Sequence, residues 1–231
     1  MKAMILAAGK GERMRPLTNQ CPKPMLKVFG KPLLEHHLIQ LKKAGVTDVV
    51  INHAWYGEKI VEYFGDGSQW QMNIRYSKEE VGALETAGGI INVLSAFNDE
   101  PFLLVNGDVF CLLDYTKLTF NVNASAHIGL VKNPEHNLKG DFQLVEGQVV
   151  LPKNTDDETY TYSGIAVLRA KLFTPYLHHQ GPLSLGAVLK SACQEGQVSG
   201  QVIETPWTDV GTPARLEQLN QQAQENGFKE I

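Results

Sequence analysis

The sequence predicts an α/β fold: an open, mostly parallel sheet flanked by helices, with a smaller antiparallel lobe in its second half. Three observations predict it. Short apolar, β-branched runs alternate with helical patterns through the first half, as in wound strand–helix units. The residues richest in chemistry (Gly9 to Arg13, His53, and Gly107-Asp108) fall at the ends of those runs, where open α/β sheets keep their ligand crevice. The second half then changes texture, to strands separated by short turns.

Taken in order, "KAMILAA" is a strand, and Pro32 opens a helix whose apolar stripe is Leu34, Leu38 and Leu41, with Gly45 ending it. "DVVINHA" is the second strand, followed by a helix from Tyr56 to Phe64. "MNIRYS" is the third, and Thr86 to Phe97 reads as helical. "PFLLVNGD" is the fourth, apolar on both faces as a central parallel strand must be. "AHIGLVKN", "GDFQLVEGQVVL" and "YTYSGIAVL" read as the more antiparallel strands. Helices over about Leu183 to Glu195 and Pro213 to Gln224 flank "SGQVIETPWTDVG". With no repeat or linker, residues 1–231 read as one domain: a core over about 1–123, an antiparallel portion over about 124–211 and a last helix over about 212–226.

The chain has 231 residues, 43% hydrophobic and 20% charged, with a formal charge of −4, so it can bury a sizeable core and gives no reason to expect nucleic acid. No apolar run approaches the roughly 18 residues of a membrane span, and the N-terminus lacks a signal-peptide layout. Three distant cysteines follow no metal-ligand spacing. A cytoplasmic protein without a membrane partner is expected.

Against that mild acidity, the segment after the first strand is cationic: Lys10, Arg13, Arg15, Lys23 and Lys27 face one acid, Glu12. Gly9-Lys10-Gly11 alone is a weak signal, since many such turns only reverse the chain. It is neither the dinucleotide pattern, which needs Gly where Met14 stands, nor a loop ending in Gly-Lys-Ser/Thr. Backbone N–H groups of such a loop can line up on phosphate oxygens, and the cations that follow suit a triphosphate. Pro22 and Pro24 hold the chain on either side of Lys23, lowering the entropy lost in aiming its ammonium. Asp108 at a strand exit and Asp209 in "TPWTDVGTP" are carboxylates in Gly-punctuated turns. A pair of this kind, with substrate phosphates, suffices for magnesium. Lys10 reads as loop surface, His36 and His37 as surface or core-edge residues of a helix, and His178-His179 as a loop pair without partner spacing.

"LAAGKGERMRPLT", "PKPML", "LETAGGI", "LLVNGDV", "YSGIAVL" and "WTDVGTP", in this order, resemble the motifs of sugar-1-phosphate nucleotidyltransferases across nearly the whole chain. "NHAW", "LETAGGI" and "GDF" are similar to the versions in members that use UTP and N-acetylmuramate 1-phosphate. The resemblance implies a Rossmann-like nucleotide-binding core with a sugar-binding lobe, and magnesium as cofactor. It further implies attack of a sugar 1-phosphate on the α-phosphorus of a nucleoside triphosphate. Carried over, Ala8, Gly9, Gly11, Glu12 and Arg13 would line the triphosphate and Lys23 would touch the reacting phosphates. Glu80, Leu84 and Glu85 would lie by the base, and Asp108 and Asp209 would hold the metal, completing a catalytic set with Arg13 and Lys23. Asn106, Asp141, Ser163 and Gly164 would face the sugar. The loop "KNPEHNLKGDF" reads either as a solvated loop of mixed charge or as a place where Lys132 and Lys139 meet an acidic substituent of that sugar. Glu12 stands where many relatives carry Thr, and Lys153 of "LPKN" is given no role because the family's Glu-Lys-Pro is absent. No hexapeptide-repeat tail follows, so a monomer or small homo-oligomer is expected. The alternatives are a mannose- or glucose-1-phosphate nucleotidyltransferase and, in another class, a non-catalytic sugar-nucleotide sensor.

Overall fold

The computed structural model describes residues 1–82, 84–119 and 123–226. Its strands are β1 (Lys2–Ala7), β2 (Lys27–Val28), β3 (Lys31–Pro32), β4 (Asp48–His53), β5 (Asn73–Lys78), β6 (Phe102–Asn106) and β7 (Val109–Cys111), followed by β8 (Ala126–Val131), β9 (Gln143–Val145), β10 (Gln148–Val150), β11 (Thr161–Leu168), β12 (Val198–Val202) and β13 (Trp207–Asp209). The helices are α1 (Leu33–Lys43), α2 (Glu58–Phe64), α3 (Glu85–Asn92), α4 (Leu185–Gln194) and α5 (Pro213–Asn226).

Nine strands form one sheet in the order β5-β4-β1-β6-β11-β8-β12-β10-β9. The first four are mutually parallel, as the wound pattern predicts. Strand alternation sorts the core into two layers. Ala3, Ile5 and Ala7 of β1 pack with Leu34, Leu38 and Leu41 of α1. Met4 faces the other layer, with Ile90 of α3 and Val188 and Leu189 of α4.

The antiparallel strands β8 to β11 do not build a sheet of their own. β11 pairs antiparallel with β6, so the second half extends the edge of the parallel sheet. "GIAVL" permits this because Ile165 to Leu168 are buried and can serve two apolar layers at once. β12 then runs parallel to β8. This strand from Ser199 onward, and β13, lie inside "SGQVIETPWTDVG", where polar residues and Gly200 hide the strand pattern. The helix expected from Thr86 to Phe97 ends at Asn92, and a 3-10 turn over Leu94–Phe97 delivers Phe97 onto Phe102, ring centroids 4.0 Å apart. His36 and His37 are buried rather than at the surface. His36 Nε2 lies 2.8 Å from the Val28 carbonyl, and burial holds the His37 imidazole pKa down at about 4. None of the helices among the described residues is long and apolar enough to cross a membrane.

Candidate active site at the ends of the parallel strands

The register of the sheet sets out the site. Leu6 of β1 pairs with Asn52 on β4 and with Asn106 on β6, so the strand ends present one row of side chains. That row is one wall of a cavity of about 540 Å³, closed by Gly9, Lys10, Lys23, Asp108 and the segment around Leu84.

The glycine loop is shaped by close packing. Gly11 has φ 66°, and a Cβ there would meet Thr18 Cγ2 at 3.0 Å and Lys23 Cβ at 3.2 Å. Thr18 Oγ1 donates to the Gly11 carbonyl at 2.7 Å, while Trp55 Nε1 donates to the Thr18 carbonyl at 2.9 Å. "NHAW" thus straps the loop from outside. Lys10 is a partly exposed loop residue, as expected, and also belongs to the cavity wall. It pairs with Glu12 at 2.9 Å and sits 5.7 Å from the Trp55 ring, which together hold it at the rim. Gly9 and Glu12 also line the cavity, as does Ala8. Arg13 is exposed, in the 3-10 turn Glu12–Met14 and outside that lining.

Lys23 occupies a second 3-10 turn, Lys23–Met25, between the two prolines. It is 8% exposed, and its Nζ lies 2.6 Å from Asp108 Oδ2. A buried ammonium needs such a partner, because its desolvation is otherwise uncompensated. Asp108 follows Gly107, whose N–H donates to the Leu6 carbonyl at 2.8 Å. A Cβ on Gly107 would meet that same oxygen at 2.8 Å. Gly107→Ala is therefore expected to cost about 2 kcal/mol by forcing β1 and β6 apart. Urea unfolding would check it, and an unchanged midpoint would show that the strand ends yield freely.

Asp209 lines a second cavity rather than the first, and its backbone is brought beside that of Asp108 through pairing that sequence distance conceals. β7 and β13 form an antiparallel ribbon in which Asp209 lies opposite Val109, and the Val210 N–H donates to the Asp108 carbonyl at 2.9 Å. The two candidate carboxylates therefore belong to neighbouring rungs. No group of three or more His, Cys, Asp or Glu suited to a metal occurs among the described residues. Two hard carboxylates leaving further positions for phosphate oxygens fit a magnesium ion. Asp209 also has cationic company. Arg215 Nη1 lies 2.5 Å from Oδ1, and His136 Nε2 lies 3.1 Å from it. These residues, with Lys132 and Trp207, line a second cavity of about 600 Å³.

On the far wall of the first cavity, Asn52 and Glu79 form a pair that the sequence did not single out. Asn52 Oδ1 accepts the Ala7 N–H at 2.8 Å, and its Nδ2 donates to Glu79 Oε1 at 2.9 Å. Burial raises the Glu79 carboxyl pKa, and the Asn52 bond opposes the shift. The signal was one residue away. His53, picked out at the strand end, turns from the cavity to the opposite face, where it packs on Tyr76 and crowds the Cα of Gly57. Leu84 and Glu85 line the cavity while Glu80 is exposed and does not. Ala83, within the same segment, lies outside the described residues.

The candidate sugar residues divide. Asn106 lines the cavity, and its Oδ1 is buried without a hydrogen-bond partner among the described residues. Gly164, at φ 78°, lies against it, and a Cβ there would meet Asn106 Nδ2 at 2.8 Å. Ser163 is fully buried, its Oγ accepting the Ile165 N–H at 3.2 Å and its carbonyl accepting Trp207 Nε1 at 2.8 Å. Asp141 accepts within the fold at both oxygens, from the Tyr162 N–H at 2.9 Å and Asn137 Nδ2 at 3.2 Å. It pins the loop after β8 to β11. Lys139 is exposed and lines neither cavity, whereas Lys132 lines the second.

Known proteins agree with this architecture. A solved structure of inositol-1-phosphate CTP transferase from T. maritima matches with a TM-score of 0.77 over 97% of this chain and 96% of that one, at 22% identity. A UDP-glucose pyrophosphorylase complexed with UDP-glucose matches with a TM-score of 0.80 over 98% and 100%, at 15% identity. Among sequences, the N-acetylmuramate alpha-1-phosphate uridylyltransferase of Neisseria meningitidis serogroup B is 46% identical over 94% of this chain and 96% of its own. The Caulobacter vibrioides protein of the same name is 30% identical over 91% and 92%. Residues 2–226 match the nucleotidyl transferase family over nearly the full length, and the chain belongs to that family.

Proposed function

We propose that the protein transfers the uridylyl group of UTP to N-acetylmuramate 1-phosphate, giving UDP-N-acetylmuramate and pyrophosphate. The observation that carries this reading is the Lys23–Asp108 ion pair beside the glycine loop, with Asp209 on the neighbouring rung. The similarity to the Neisseria protein supplies the choice of substrates.

In this reaction a phosphate oxygen of the sugar attacks the α-phosphorus. The new O–P bond forms as the bond to the bridging oxygen of the leaving pyrophosphate breaks. Such a transfer asks the protein for alignment and charge neutralisation more than for proton movement. Backbone N–H groups of Gly9 to Gly11 would receive the triphosphate, and Lys23 would neutralise the α-phosphate as a second anion approaches. Asp108 and Asp209 would hold magnesium, which when bound neutralises and orients phosphate oxygens. Asn52 and Glu79 offer polar groups to the base, and Asn106 Oδ1, without a partner among the described residues, offers an acceptor to a sugar hydroxyl or amide. We read residues 1–231 as one catalytic domain, working in the cytoplasm, where nucleoside triphosphate and recycled cell-wall sugar are available.

A pyrophosphate-release assay with several sugar 1-phosphates and UTP, GTP, dTTP or ATP tests the reading. UTP with N-acetylmuramate 1-phosphate is expected to exceed UTP with N-acetylglucosamine 1-phosphate by on the order of a hundredfold, the worth of one well-placed charge contact to the lactyl carboxylate. Preference for mannose 1-phosphate with GTP would overturn the substrate while leaving the reaction. No release with any pair would favour a sugar-nucleotide sensor.

A further inference from the structure

Both carboxylates assigned to the metal already have cations of the protein as partners. Asp108 is paired with Lys23 at 2.6 Å and Asp209 with Arg215 at 2.5 Å. The second pair is built into the turn. Arg215 lies in the first turn of α5, its backbone N–H 3.4 Å from Thr212 Oγ1. The same guanidinium nitrogen reaches both Asp209 carboxylate oxygens and, at 3.3 Å, the Asp209 carbonyl. Gly211 makes room for this. A Cβ there would meet Arg215 Nη2 at 2.9 Å and Asp209 Oδ2 at 3.0 Å. The pair is only partly open to solvent, with side-chain exposures of 20% and 24%, so its attraction is less screened than that of a surface pair.

We infer that Arg215 is a positioning residue that exchanges partners during the reaction cycle, holding Asp209 until a divalent cation displaces it and then turning to the incoming sugar phosphate. The inference rests on the proposed metal site. A divalent ion at Asp209 must compete with the guanidinium for the same oxygens, as it must compete with the Lys23 ammonium for Asp108. Once displaced, each protein cation needs a new anion nearby. Lys23 lines the first cavity and Arg215 the second, so a phosphate entering either would offer that anion. In the resting state the exchange keeps neither carboxylate bare, and in the loaded state it leaves two cations beside the phosphates that must approach each other. A merely structural Arg215 would act in the opposite direction, since its loss would then disorder Asp209 and weaken the metal.

Mn2+ titration followed by electron paramagnetic resonance separates the two cases in enzyme saturated with an α,β-methylene analogue of UTP. Arg215→Met is expected to tighten Mn2+ binding by about tenfold, the equivalent of losing one competing charge-assisted hydrogen bond. The same substitution should raise KM for the sugar phosphate and leave KM for UTP within about twofold. Arg215→Lys, which keeps the charge and loses the planar fork, should fall between, and it supplies the answer if the Met variant does not fold. Unchanged or weaker Mn2+ binding in these variants would overturn the exchange. Asp209→Asn serves as the control. If it lowers Mn2+ affinity while the Arg215 variants fail to raise it, the metal site stands and the exchange falls. If Asp209→Asn leaves the affinity unchanged, the metal site itself falls, and the exchange with it.

Discussion

Asp108→Asn is expected to lower turnover at least about a hundredfold, and Asp209→Asn to do the same, on the scale of losing a charge contact made in the transition state. Each replacement preserves shape and leaves the main-chain bond from Val210 N–H to the Asp108 carbonyl intact, so the β7–β13 ribbon should persist. What changes is charge. A neutral amide oxygen is a poor ligand for a hard divalent cation. In the first variant the Lys23 ammonium keeps a hydrogen-bond acceptor in the new amide but loses its counter-charge. Steady-state turnover at saturating substrates, with unfolding midpoints measured alongside, checks the prediction. Near-normal turnover in either variant would remove that residue from the metal site.

Lys23→Ala is expected to cost on the order of a hundredfold in turnover, with most of the loss in use of the sugar phosphate even at saturating UTP. The ammonium is buried, aimed by two flanking prolines and packed with its Cβ near Gly11, so its position is set by the fold. Arg13→Ala should behave differently. Its side chain is exposed and outside the cavity lining, so a role at the outer phosphates is expected and its effect should appear in the KM for UTP. Separate KM values for the two substrates in each variant decide the matter, and equal losses for both substrates in both variants would refute this division.

Much of this arrangement was legible in the residue order, for local reasons. Strand–helix alternation needs only the period of apolar residues, so β1, β4, β5 and β6 and their helices could be read directly. The glycine loop and the Pro-Lys-Pro segment were legible for the same reason, since their geometry is set by residues adjacent in the chain. Family motifs pointed to Asp108 and Asp209, and the nucleotidyl transferase match agrees with the family those motifs indicated.

Other features depended on contacts between distant segments. Asn52 rather than His53 faces the cavity because strand alternation decides which neighbour points where, and a shift of one residue reverses the face. Lys10 joins the cavity wall because Trp55 and Glu12 hold it there, and Arg13 remains outside the lining. Ser163 and Asp141 carry polar groups suited to a sugar, yet packing commits them to Ile165, Tyr162 and Asn137. By itself the sequence determined the wound core, the family and the chemical character of the loop, because periodicity, turns and motifs are written in local order. Only the tertiary structure decided that the antiparallel strands continue the same sheet, that Asp209 stands one rung from Asp108, and that Arg215 holds it. Those are pairings between segments far apart in the chain, and their partners are chosen by the register of strands and the packing of layers.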